Sequence, residues 1–152
     1  MFYRLCLGVT GLVLVSVGAF AEKKPITISS GTQFEVSVIV DTEVKPGEKT
    51  EVVLDPKTVD TGQLSEPLPS YCLLNATSGI KDKHLSLEAG KMVCVTDDKR
   101  ILETQLLGTI ETDQECDNCD ALTLPAGDTF ALKIENSAVL ELQLRADGMT
   151  QE

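Results

Sequence analysis

The chain of 152 residues is strongly acidic, because 24 Asp and Glu outnumber 13 Lys and Arg and leave a formal net charge of −11. Such a charge disfavours nucleic-acid phosphates and anionic lipid headgroups, so we expect neither as a partner. The length suits a single domain that can bury a core of its own.

The N-terminus, residues 1–21, has the pattern of a secretory signal peptide. Arg4 precedes an apolar run over residues 5–20, and small residues stand three and one positions before the expected cut. A permanent membrane anchor is the alternative, but it needs about 20 apolar residues to cross a bilayer. The sequence therefore predicts cleavage after Ala21 and a periplasmic or secreted domain of residues 22–152 that is not integral to the membrane.

Short apolar and β-branched segments recur along the rest of the chain. Their even spacing, with Gly, Pro, Asn and Asp between them, predicts an all-β fold: a single small sandwich or distorted barrel with an aliphatic core, held by disulfides. Leu140, Leu142 and Leu144 alternate with polar residues, as in a strand with one solvated face. The predicted strands are residues 34–40, 50–54, 71–76, 85–87, 92–96, 101–111, 121–124, 129–135 and 139–145.

Two segments are predicted to lack regular structure. Residues 55–70 hold three prolines and a glycine among few apolar residues, which indicates a long loop. A plain surface crossover and a contact surface are both compatible with it. Residues 147–152 have the character of a frayed tail.

Four cysteines remain once Cys6 has left with the signal: Cys72, Cys94, Cys116 and Cys119. An even number in an exported chain predicts disulfides, and four cysteines allow three connectivities. Which of the three connectivities forms determines which strands are covalently joined.

The Cys116-x-x-Cys119 spacing is compatible with a redox dithiol, half of a zinc site or a structural loop. The carboxylates around it oppose the low thiol pKa that redox chemistry needs. A zinc site needs a second close pair, whereas Cys72 and Cys94 are 22 residues apart. We therefore expect a disulfide that closes a hairpin tip, which leaves Cys72 to pair with Cys94. A thiol-disulfide protein using Cys116 and Cys119 stays as an alternative.

The same segment, residues 113–120, carries four carboxylates: Asp113, Glu115, Asp117 and Asp120. The first three stand at positions 1, 3 and 5 of an EF-hand count, but Asn118 replaces the turn glycine and Leu124 replaces the bidentate glutamate. The four residues are weak metal-ligand candidates for a small-ligand or calcium-binding module. A solvated turn is the plainer interpretation.

The sequence carries no motif that indicates catalysis. His84 is the only histidine, and its neighbours do not resemble a nucleophile elbow. Gly108 and Gly127 stand singly, so no Gly-rich phosphate loop is present. We expect a protein that is not an enzyme, with no catalytic residue and no cofactor.

Several short motifs follow one another between about residues 30 and 112: Gly31-Thr32, Val52-Val53-Leu54-Asp55, Tyr71-Cys72-Leu73-Leu74, the stretch 81–87, Met92-Val93-Cys94-Val95 and the run 101–110 with Gly108. In this order the chain resembles the C-terminal β-domain of the TraB/TrbI family, scaffold proteins of type IV secretion and conjugation machines. The resemblance implies a distorted β-barrel that assembles side by side in the cell envelope, and it implies a Cys72–Cys94 bridge.

The chain also departs from that family. Its members carry an inner-membrane helix, a Pro-rich stem and an inserted helical hairpin, whereas this sequence shows a cleavable signal and no hairpin candidate. The resemblance therefore implies a soluble periplasmic relative or an accessory subunit.

Taken together, the sequence predicts a structural or protein-interaction subunit of a cell-envelope assembly. Its expected partners are envelope proteins or further copies of itself, bound through strand edges and the 55–70 loop. The ligand-binding and thiol-disulfide alternatives stay open.

Overall fold

A computed structural model describes residues 25–59 and 63–143, and it confirms the all-β class. The described residues form eleven strands and no α-helix. The strands are β1 Ile26–Ile28, β2 Gln33–Val38, β3 Thr42–Val44, β4 Thr50–Thr58, β5 Tyr71–Lys81, β6 His84–Val95, β7 Ile101–Gln105, β8 Thr109–Glu115, β9 Leu122–Leu124, β10 Thr129–Lys133 and β11 Ala138–Leu142.

Nine of these strands form one curled antiparallel sheet. Its order is β1-β11-β7-β6-β5-β4-β2-β10, and β8 also pairs with β6. The two remaining strands, β3 and β9, pair with each other. The sheet curls into a half-barrel. Of the two predicted architectures, a small sandwich or a distorted barrel, the structure is the barrel-like one.

The central strand β6 bends at Gly90 and serves two neighbours along one edge. Residues 91–95 pair with β7, whereas residues 84–88 pair with β8. On its other edge the register with β5 slips by one residue between Leu74 and Ala76, which marks a bulge. The predicted strands 85–87 and 92–96 are therefore one bent strand, and the predicted run 101–111 is divided into β7 and β8.

Gly108 stands at the junction of β7 and β8, where the sheet closes on itself. Its carbonyl accepts a hydrogen bond from the Ala89 amide at 2.8 Å, and the neighbouring Leu107 carbonyl accepts one from Glu135 at 2.9 Å. A Cβ atom at position 108 would lie 2.5 Å from the Lys133 carbonyl oxygen and 2.9 Å from Leu132 Cδ1. The absence of a side chain therefore lets the end of β10 approach this junction.

The core lies inside the curl and is almost entirely aliphatic. In β2, Phe34, Val36 and Val38 are buried while the residues between them face outward, which is the alternation expected of a strand with one solvated face. The largest fully buried side chains are Phe34, Ile28, Leu54, Leu74, Leu85, Leu87, Met92, Leu106, Leu124, Leu132, Ile134 and Leu140.

The predicted loop 55–70 begins too early, because β4 continues to Thr58. Beyond Leu54, β4 pairs only with β2, and its pairing with β5 stops. The next hydrogen-bonded position on the β5 side would belong to Pro56, which has no N–H to donate. Pro56 therefore separates β4 from β5 at this point without ending the strand.

The rest of that segment is held against the sheet rather than projecting from it. Leu64 forms a bridge with Ile28, and the Ser65 amide donates to the Thr27 carbonyl at 3.1 Å. Leu68 packs against the core. This segment covers the outer edge of β1, a short strand that the sequence interpretation missed together with β3.

Two of the sequence-based expectations fall on other parts of the chain. The predicted signal peptide, residues 1–21, and the tail, residues 147–152, lie outside the described residues. Among the described residues, no helix has the length and apolar character needed to cross a membrane.

The close approach at Gly108 predicts a large effect of a single methyl group. Gly108→Ala is expected to lower the free energy of unfolding by about 1–3 kcal/mol, because the clashing atom is a backbone oxygen. Gly79→Ala is the matched control, since a Cβ atom there meets nothing within 4 Å, and it is expected to stay within about 1 kcal/mol of the parent. Urea unfolding curves measure both, and equal effects would contradict the assigned role of Gly108.

Candidate interaction surface

Cys72 and Cys94 form a disulfide that joins β5 to β6. They stand directly opposite each other in the register, with their Cα atoms 4.0 Å apart, and both side chains are buried. This short separation is typical of a position that exchanges no backbone hydrogen bonds across an antiparallel pair. The predicted Cys72–Cys94 bridge is thus confirmed, and it is buried in the core.

Cys116 and Cys119 form the other disulfide, with Cα atoms 5.1 Å apart. The Cys116 amide donates to the Lys83 carbonyl at 2.7 Å, which continues the pairing of β8 with β6. Asn118 turns the chain with a positive φ of 58°. The bridge is confirmed, but it does not close a hairpin tip, since β8 pairs with β6 and β9 pairs with β3.

The surroundings of Cys116 and Cys119 are those of a structural turn. Strand β8 precedes the pair, and no helix within residues 25–59 and 63–143 presents an N-terminus to either sulfur. Lys83, whose carbonyl accepts the hydrogen bond from Cys116, forms an ion pair with Asp117 at 3.1 Å. These contacts give no specific support to the thiol-disulfide alternative.

The acidic segment 113–120 does not assemble a metal site in the part of the chain that the structure describes. No three His, Cys, Asp or Glu side chains of that part come close enough to hold an ion together. Asp113, Glu115, Asp117 and Asp120 therefore remain separate solvated carboxylates, and Asp117 is neutralised by Lys83. The described residues thus give no support to the weak calcium pattern in the sequence.

His84 lies exposed at the start of β6, opposite Glu115. It borders a depression of about 520 Å³ that Ser86 and Thr112 also line. The Thr112 hydroxyl donates to the Leu85 carbonyl at 3.0 Å, and the Ser86 hydroxyl to the Gly79 carbonyl at 3.5 Å. Both hydroxyls thus donate to backbone carbonyls of the sheet.

The most prominent surface feature is a group of apolar side chains on the outer face of β5, β6 and β7. We call it the outer strip, and it consists of Tyr71, Leu73, Val93, Val95 and Ile101. Paired residues in a sheet point to the same face, and the register aligns Tyr71, Val95 and Ile101 in one row and Leu73 with Val93 in the next. Tyr71 is 73% exposed and Leu73 is 50% exposed.

The strands that carry the outer strip are apolar on both faces. Cys72 and Cys94 stand between its members along the chain and Leu74 and Met92 stand next to them, and all four are buried in the core. An antiparallel sheet with one face in water normally alternates apolar with polar residues. A contiguous apolar patch on a solvated face is typical of a surface that another molecule covers.

Carboxylates border the outer strip on its β7 and β11 side. Glu103 of β7 and Glu141 of β11 stand directly opposite each other, where like charges repel. Lys91 reaches Glu103 at 2.6 Å. On the β4 side, Lys57 lies 4.0 Å from Asp55.

A groove of about 710 Å³ lies on the other face of the same sheet end. Leu102 and Leu142, which pair with each other, line it together with Leu68 and Arg100. Arg100 Nε lies 2.8 Å from Asp98 Oδ2. Residues 66–70 of the predicted loop form one wall, so this segment contributes to a concave surface as well as to the covering of β1.

The sequence interpretation did not identify the outer strip, although its signal was present. Tyr71-Cys72-Leu73-Leu74 and Met92-Val93-Cys94-Val95 are continuous apolar runs, and in an exposed sheet such runs place apolar side chains on both faces. No protein-family model and no curated protein matches this chain. The outer strip is therefore the candidate interaction surface of the described residues.

The two disulfides are expected to differ in their contribution to stability. Removing Cys72–Cys94 by a double alanine substitution should lower the free energy of unfolding by about 3 kcal/mol, because it frees a closed loop of 22 residues in the unfolded chain. The double alanine substitution at Cys116 and Cys119 opens a much shorter loop and should cost about 2 kcal/mol. Denaturant unfolding of both variants tests this, and a larger loss at Cys116 and Cys119 would be contrary to it.

The opposed carboxylates predict a stabilising substitution. Glu141→Gln should raise the free energy of unfolding by about 0.2–1 kcal/mol, because it removes a like-charge pair. Glu103→Gln removes the same repulsion but also the ion pair with Lys91, so it should gain less. Thermal and urea unfolding at low ionic strength compare the two. No gain from Glu141→Gln would show that the repulsion is negligible, and a greater gain from Glu103→Gln would contradict a stabilising ion pair between Lys91 and Glu103.

Proposed function

We propose that this protein is an extracytoplasmic interaction domain, a non-enzymatic subunit of a cell-envelope assembly. The observation that carries the proposal is the outer strip. Its apolar side chains are aligned by the register of three strands, and Tyr71 leaves 73% of its surface open. Tyr is enriched among the residues that anchor protein interfaces, and the exposed aliphatic side chains beside it add apolar area that a partner can cover.

The disulfides support a location outside the cytoplasm. All four cysteines of residues 25–143 are bonded, and one bridge is buried in the core. Structural disulfides form and persist in oxidising compartments such as the bacterial periplasm. Together with the signal-peptide pattern of residues 1–21, they favour a periplasmic or secreted domain.

The resemblance to the TraB/TrbI β-domain suggests which assembly this is. Gly31-Thr32 immediately precedes β2, and Cys72 and Cys94 join β5 to β6 within a half-barrel. These features agree with what the resemblance implies. The described residues contain no helical hairpin, so the proposed role is that of an accessory or related subunit in a type IV secretion or conjugation machine.

Site-specific crosslinking in the producing cell tests this function. A photo-crosslinking amino acid at Tyr71 or Leu73 should capture subunits of an envelope assembly in a fixed ratio, identified by mass spectrometry. The control position is Lys133, which is exposed on β10, and it should capture much less of them. Equal capture from all three positions, or no envelope protein from any, would overturn the proposal.

A further inference from the structure

We propose that the outer strip binds a positively charged amphipathic segment of another protein, one whose apolar side chains cover the strip and whose Lys or Arg meets Glu141 and Glu103. This inference rests on the proposed function, since it assumes that the outer strip is the binding face. It adds the chemistry of the partner.

The shape of the outer strip matches one face of a single segment. Neighbouring strands lie about 4.8 Å apart, so the row of Tyr71, Val95 and Ile101 spans about 10 Å. The second row, with Leu73 and Val93, lies about 7 Å further along the strands. Apolar side chains three and four residues apart on a helix are about 5–6 Å from one another, so one helical face can contact both rows.

The charged residues beside the outer strip determine which charge a partner should carry. The second row continues from Leu73 and Val93 into Glu103 and Glu141. The two lysines nearest the outer strip each lie within ion-pair distance of a carboxylate, Lys91 of Glu103 and Lys57 of Asp55. Glu141 has no cationic partner among residues 25–59 and 63–143, and it stands directly opposite another carboxylate. A Lys or Arg from outside relieves that repulsion, whereas an anionic partner increases it.

A second copy of this chain is a poor occupant on the same grounds. Each copy has a formal net charge of −11, and two outer strips placed face to face bring Glu103 and Glu141 of both copies into one interface. Long-range repulsion between such molecules slows their encounter. The complementary occupant is therefore cationic, and self-assembly through this face is disfavoured.

Two synthetic peptides test the inference on the purified protein. Both have the same helical framework, with leucine at positions i, i+3, i+4 and i+7. One has lysine and the other glutamate at the polar positions, and each carries a fluorophore for anisotropy titration. The lysine peptide should bind at least 10-fold more tightly than the glutamate peptide, and its affinity should fall with added salt. Equal binding of the two peptides would overturn the inference.

Variants then locate the binding. Leu73→Ser should weaken binding of the lysine peptide about 10-fold, whereas Val40→Ser, at another apolar side chain that is 62% exposed, should leave it unchanged. Glu141→Gln should weaken it several-fold, and Glu51→Gln on β4 controls for the loss of one charge. Unchanged binding in Leu73→Ser and Glu141→Gln, with intact thermal unfolding, would place the peptide elsewhere and refute the inference.

The outcome of this test is separable from that of the proposed function. If crosslinking at Tyr71 captures an envelope subunit but the peptides show no charge preference, the partner's chemistry is wrong and the function stands. If no position captures an envelope subunit, the function itself is wrong. Concentration-dependent dimerisation that Leu73→Ser abolishes would replace the cationic partner by a second copy.

Discussion

At Gly90 the longest strand of the sheet bends, and the arrangement of the other strands depends on that bend. β6 has 12 residues, and a straight strand of that length would pair with one neighbour along each edge. The bulge opposite Asn75 turns the strand, so that β7 borders one half and β8 the other. A Cβ atom at position 90 would lie 2.9 Å from the Asn75 carbonyl oxygen, which explains why the bend occurs at a glycine.

The bend at Gly90 also determines how the half-barrel closes. β7 and β8 pair with different halves of β6, and at the junction between them Gly108 permits the end of β10 to approach at backbone distance. The Cys72–Cys94 bridge then ties β5 to β6 on the β7 side of the bulge. The Cys72–Cys94 bridge thus joins the two strands that carry most of the outer strip, so their backbone has little conformational entropy to lose on binding.

Much of the fold could be predicted from the sequence because strand patterning is a local property. The alternation in β2 and the turn residues between segments identified the all-β class and most strands. The division of residues 101–111 and the fusion of 85–87 with 92–96 could not be predicted, since both result from the non-local approach of Asn75 and Lys133 to two glycines. The loop was predicted to begin at residue 55 because of Pro56, but β4 continues to Thr58. A strand tolerates proline at a position where no neighbouring strand needs its N–H.

The candidate surface was harder to predict than the fold for a different reason. A run such as Met92-Val93-Cys94-Val95 shows that a strand is apolar, but not whether its second face is covered by the same chain. Only the topology reveals that no described element packs over β5, β6 and β7 on the outside. The even number of cysteines, by contrast, predicted disulfides without knowledge of the sheet order, whereas the structure determined which of the three connectivities is present.

The acidic composition and the apolar outer strip have complementary consequences. An exposed apolar face on a two-sided sheet carries a risk of self-association. Repulsion between copies with a formal net charge of −11 counters that risk at long range, whereas contact between apolar side chains acts only after approach. A cationic partner experiences the opposite long-range force, attraction, together with the same short-range gain. The net charge of the protein therefore affects which molecules associate with the outer strip quickly. The shape of the strip and the carboxylates beside it determine which of them bind tightly.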